Sequence, residues 1–108
     1  MNNNPPDNGK TLAIISYLTI IGTIIAMVQN SEKKNPFASF HIRQALGIIL
    51  TFFALGYPIG YFDSWMVSSA FYIFFFILWI YGFLGAIQGQ MNMVPLLGPF
   101  YQKIFKSL

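Results

Sequence analysis

Few residues in this chain have chemistry to offer, and they cluster in one place. His41 is the only histidine, with Ser39, Arg43 and Gln44 beside it in the run Pro36-Phe-Ala-Ser-Phe-His-Ile-Arg-Gln. A hydroxyl two residues from an imidazole invites a nucleophilic reading, but that chemistry needs nucleophile, base and orienting group within mutual reach. Glu32 is the one carboxylate expected on the same side, so no catalytic residue is assigned. A lone imidazole without a second His, Cys or acidic ligand beside it does not make a metal site either. Cysteine is absent altogether, which excludes disulfides and thiolate chemistry. Phosphate-binding glycine loops, basic-aromatic nucleic-acid surfaces and lipidation signals have no counterpart. The expectation is a chain with no enzymatic activity, no cofactor, no metal and no nucleic-acid partner, and no small-molecule substrate is identified.

The elements that must position these residues are apolar. Stretches 12–28, 45–62 and 65–87 contain no Asp, Glu, Lys, Arg or His. At 1.5 Å rise per residue each gives roughly 26–35 Å of helix, against a hydrocarbon core of roughly 30 Å. Charged residues make up only 8% and apolar ones 56%, a balance that a water-soluble domain of 108 residues could not bury. The fold class expected is therefore an all-α integral membrane protein. It has three transmembrane helices, at about 11–29, 42–62 and 65–88, plus a short amphipathic interfacial helix at about 99–108. A flexible polar tail (1–9) precedes this single membrane domain (10–108).

Charge sets the expected orientation. Lys33, Lys34 and Arg43 lie between the first and second stretches, and Lys103 and Lys106 follow the third. With three crossings these share one side, leaving Lys10 on the other with Asp7 and Asp63. The positive-inside rule then puts the N-terminus outside and the C-terminus in the cytoplasm of a bacterial inner membrane. Asn35-Pro36 reads as an N-cap followed by proline at the first helical position. Pro58, inside Gly56-Tyr-Pro-Ile-Gly60, predicts a kink or helix end.

Small residues mark expected helix contacts, because they let backbones approach. They are Ser16, Thr19, Gly22 and Thr23 in the first stretch, Gly56 and Gly60 in the second, and Gly82, Gly85 and Gly89 in the third. Phe37, Phe40, His41, Arg43 and Gln44 are the expected partner interface at the cytoplasmic surface. Lys103, Lys106, Phe100 and Phe105 would meet lipid headgroups from the last helix, although folding back under the bundle is its competing placement. Membrane lipids and other integral membrane subunits are the expected partners. The alternative is a homo-oligomeric pore or small-solute transporter, with Ser16, Thr19, Thr23, Thr51, Ser68 and Ser69 lining a shared path.

Three segments carry a family resemblance: residues 9–18, Phe40-His-Ile-Arg-Gln-Ala-Leu-Gly47 and Val94-Pro-Leu-Leu-Gly-Pro99. Over roughly residues 9–106 the chain resembles small bacterial membrane proteins related to the twenty-kilodalton Tic component of the chloroplast protein-import machinery. The pattern His-x-(Lys/Arg)-Gln-Ala, matched by His41, Arg43, Gln44 and Ala45, is its most telling piece. The resemblance implies a polytopic helical protein without catalytic activity that is associated with protein translocation. The plastid protein is expected to have four spans, where three are counted here.

Overall fold

The computed structural model describes residues 5–108, all of whose regular structure is helical. Five helices follow in order: α1 (Pro5–Leu18), α2 (Ile20–Lys33), α3 (Pro36–Ile59), α4 (Trp65–Gln88) and α5 (Gly98–Ile104). Two of them, α3 and α4, are long and apolar enough to cross a membrane. At 24 residues each they reach about 36 Å. The expected polar tail differs: residues 5–9 already belong to α1, while residues 1–4 lie outside the described residues.

The ends of α3 and α4 follow their sequences. The Asn35 side chain accepts from the Ala38 amide with Pro36 next to it, fixing the start of α3. Pro58 stands in the last turn of α3, which stops one residue later. A tight link containing Asp63 leads to Ser64, whose hydroxyl caps the Val67 amide and opens α4. Gly89, at φ 74°, ends α4 in the left-handed region that a side chain would strain.

The first apolar stretch departs from expectation. Instead of one span over 11–29, the chain breaks at Thr19, which is extended (φ −155°, ψ 173°) and caps α2 by accepting from the Gly22 amide. Two helices of 14 residues, each about 21 Å long, replace one of membrane length. They fold back on each other. Thr23 reaches the Ser16 carbonyl at 2.6 Å, and Leu12 shares a buried cluster with Ala26, Ala38 and Ile42. A side chain at Gly9 would overlap Asn35, which places the start of α1 beside the start of α3. Hence both feet of the α1–α2 hairpin stand at the N-terminal end of α3.

Its apex stops halfway along the long pair. Thr19 and Ile20 share a groove with Ile48, Ile49 and Phe52 of α3 and with Phe75, Phe76 and Trp79 of α4. On the way, α1 packs Ala13 and Tyr17 against Ala45, Ile48, Phe75, Leu78 and Ala86. Beyond that level α3 and α4 have only each other, joined through Phe52, Phe71 and Phe75. Every fully buried residue of α3 lies between Ala38 and Ile48, and every one of α4 between Phe75 and Ala86. The molecule, 55 × 23 × 23 Å, is thick at one end and thin at the other.

Candidate functional site

Breaking a helix among apolar side chains frees backbone groups that water cannot satisfy, at several kcal/mol apiece in hydrocarbon. Local side chains close the account at the α1–α2 apex. The Thr23 hydroxyl bridges to the carbonyls of Ser16 (2.6 Å) and Thr19 (3.0 Å), and Trp79 Nε1 donates to the Tyr17 carbonyl at 2.7 Å. Ser16 bonds the Ala13 carbonyl within its own turn. Gly22 has no room for a Cβ, which would overlap the Ile15 carbonyl. Ser16, Thr19, Gly22 and Thr23 thus build a turn between two short helices rather than a stripe along one long helix.

Below the apex lies a polar clasp inside the apolar body. His41 and Gln44, one turn apart on α3, are both 0% exposed. Gln44 Nε2 donates to the Tyr17 hydroxyl at 3.0 Å, and that hydroxyl lies 2.8 Å from His41 Nδ1. His41 Nε2 is 2.8 Å from the Gln90 carbonyl. A carbonyl only accepts, so Nε2 carries the imidazole proton and Nδ1 accepts from Tyr17. The Val94 amide closes the set by donating to Gln44 Oε1 at 2.7 Å. The chain of donors is complete with every group neutral. It joins three segments distant in sequence: α1, α3 and the link after α4.

The remaining polar groups of α3 hold the C-terminal segment. Arg43 donates from Nε to the Phe105 carbonyl, from Nη1 to Gln102 and from Nη2 to the Lys106 carbonyl. Gln102 in turn bonds the Phe40 carbonyl, and Lys34 the Ser107 carbonyl. Asn30 Nδ2 donates to Ser39, whose hydroxyl donates to the Leu108 carbonyl. Tyr101 is buried and donates to Thr51 at 2.9 Å; a Cβ on Gly47 would overlap its ring. Burial raises the Tyr101 phenol above its ordinary range, an effect the Thr51 bond opposes.

All five residues of the expected partner interface, Phe37, Phe40, His41, Arg43 and Gln44, bond or pack within the chain. Phe37 and Phe40 pack edge-on against the His41 ring at 4.7 and 5.0 Å, and Phe40, His41 and Gln44 are buried. These five residues form an internal joint. Among the glycines, Gly82 lies under the Tyr17 ring, where a Cβ would come within 2.8 Å, and Gly85 faces His41. Gly56 faces the Phe71 ring of α4 at ordinary van der Waals distance, Gly60 meets only its own helix, and Gly89 is a helix cap. In the C-terminal segment, Lys103, Lys106 and Phe100 are exposed, whereas Phe105 is half-buried against the body. Sequence reasoning missed Tyr17, Asn30, Trp79 and Tyr101. Their signal was a polar atom on a large side chain within or beside an apolar run, which in lipid asks for a partner.

Chemically, the donors and acceptors of the clasp are paired with one another. Ser39 and His41 bond in different directions, Ser39 to Asn30 and Leu108 and His41 to Tyr17 and Gln90, with no Asp or Glu side chain in either set. Among the described residues, no group of three His, Cys, Asp or Glu side chains could hold a metal ion. What lies open is apolar: a groove of about 370 Å³ over the hairpin apex, and another of about 310 Å³ beside Gly56, Gly60, Ser68 and Phe71. Compared with protein-family models, curated proteins and solved structures, the chain finds no match.

Proposed function

We propose that this chain is a non-enzymatic subunit of the bacterial inner membrane that crosses the bilayer twice and packs beside other integral membrane proteins. The observation that carries the reading is the bare half of the α3–α4 pair. Phe53, Leu55, Tyr57, Phe62, Trp65, Met66, Tyr72 and Ile73 are all exposed there, a surface no water-soluble protein of this size would keep. Hydrocarbon, or another membrane protein within it, is the medium that suits this face.

Charge supports a two-crossing topology. With the hairpin folded back, Lys10 joins Lys33, Lys34, Arg43, Lys103 and Lys106 at the thick end, and Asp63 stands at the other. All six basic residues of the chain then face one compartment, which the positive-inside rule makes the cytoplasm. Both ends of the described chain lie on that side, which moves the N-terminal end from its expected place outside. Lys103, Lys106 and Lys10 are placed to meet anionic headgroups, at about 1 kcal/mol per basic residue near the surface.

The closed polar clasp supports a structural role over a catalytic one, since its donors and acceptors are already paired. The pore alternative loses much of its lining: Ser16, Thr19, Thr23 and Thr51 hold bonds inside a single chain. Membership of a protein-translocation or insertion complex rests on the resemblance at His41, Arg43, Gln44 and Ala45 alone. Extraction from membranes in mild detergent, followed by mass spectrometry of the intact assembly, tests the reading. A stoichiometric membrane-protein partner is expected. Repeated recovery of the chain alone, or its release by alkaline carbonate, would overturn it.

A further inference from the structure

The two ends of this molecule differ in width, and the difference falls at a definite depth. Between Ala38 and Ile48 on α3, and between Phe75 and Ala86 on α4, the long pair is wrapped by α1, α2 and α5. From residue 49 to residue 74 no residue is fully buried, and beyond the Tyr101–Thr51 bond and the groove at Thr19 the pair is bare. The change of width comes at Thr19, level with Ile48, Ile49 and Phe52, close to the midpoint of α3. In a bilayer spanned by α3 and α4, the midpoint of each helix is the boundary between leaflets.

From this we infer a further function: the chain is a membrane wedge, which concentrates where the bilayer bulges toward the side of its basic end. A helix with side chains is about 10–12 Å across, so α1 and α2 add roughly 160–220 Å² to one leaflet and nothing to the other. That is comparable with the area already taken by α3 and α4, so the footprint in one leaflet is about double that in the other. Protein area inserted into one leaflet responds to curvature. On a convex surface the outer leaflet is stretched relative to the inner, and a molecule wider on that side relieves the difference. The wedge holds its shape because its parts are bonded together. Tyr17 ties α1 to α3, Trp79 ties α4 to the apex, and Arg43 ties the C-terminal segment to α3.

The inference rests on the two-crossing reading, and one experiment separates their failures. The full chain, carrying a dye on a single introduced cysteine at Asp63, is reconstituted in giant vesicles from which narrow tubes are drawn. An external quencher reports orientation, since it darkens only those molecules whose thin end faces out. Molecules with the basic end outward are expected to be enriched on the tube, with a tube-to-vesicle ratio above one. Those with the basic end inward are expected to be depleted, with a ratio below one. Equal density for both orientations, or a change of the same sign for both, overturns the wedge while leaving the two crossings intact. Removal of the chain from the vesicles by alkaline carbonate overturns both.

Discussion

Tyr17 joins α1 to both α3 and α4. Its hydroxyl accepts from Gln44 and donates to His41, its carbonyl accepts from Trp79, and its ring fills the space over Gly82. Replacing Tyr17 with Phe leaves His41 Nδ1 and Gln44 Nε2 without a partner in a buried site. Each orphaned group costs about 1–3 kcal/mol, so Tyr17→Phe should lower the unfolding free energy measured in detergent by a few kcal/mol. A stability equal to the parent would remove the clasp from the account. Thr23 offers a sharper contrast. Thr23→Val strips the Ser16 carbonyl of its hydroxyl donor, while the Thr19 carbonyl keeps the Thr23 amide, and should cost about 1–3 kcal/mol; Thr23→Ser keeps the hydroxyl and should recover most of it. Gly47→Val collides with the Tyr101 ring and should free α5, seen as faster proteolysis between residues 98 and 104. His41 could not be read from sequence because its partners lie 24 and 49 positions away, at Tyr17 and Gln90. A histidine at the start of an apolar helix looks interfacial until the segments that cover it are in place.

At the scale of elements, the long helices were legible and the hairpin was not. Asn35-Pro36 announces α3 because an amide side chain and a proline each answer a known deficiency of a helix start. In the structure Ser64 plays the capping part for α4. Nothing comparable marks Thr19, which sits in an unbroken apolar run with no proline, and with glycine only three positions on. A run of 17 such residues has the length of a span, and length alone reads it as one. The break is possible because partners outside the run, above all Trp79 on α4, satisfy what it exposes. Cross-linking decides between the two forms. The chain has no cysteine of its own, so a pair introduced as Leu12→Cys and Ala26→Cys reports one distance. In a straight helix 14 residues separate the two by about 21 Å, far beyond the 4–7 Å between Cα atoms that a disulfide allows. In the hairpin both belong to one buried cluster, and oxidation should join them within a single chain.

The whole molecule follows from that one turn. If the first apolar stretch turned back only halfway, the chain crosses twice instead of three times, and its charges fall into order without exception. Six basic residues gather at one end, while the far turn presents Asp63 between Tyr61 and Trp65, the aromatic pairing expected of an interface. Composition alone pointed to the helical class and to helices long and apolar enough to cross a membrane, and to the basic surplus near residues 33–43 and 103–106. It could not give the side on which Lys10 stands, because that depends on whether α1 and α2 are one helix or two. Topology is therefore the central claim, and cysteine labelling in intact cells tests it most directly. Single cysteines replace the exposed Thr11, Asp63 and Ser107 in turn and meet a thiol reagent that cannot cross the membrane. Labelling at position 63 alone is the predicted result, with positions 11 and 107 reacting only after the cells are opened. Labelling of position 11 from outside would restore a third crossing and contradict the account.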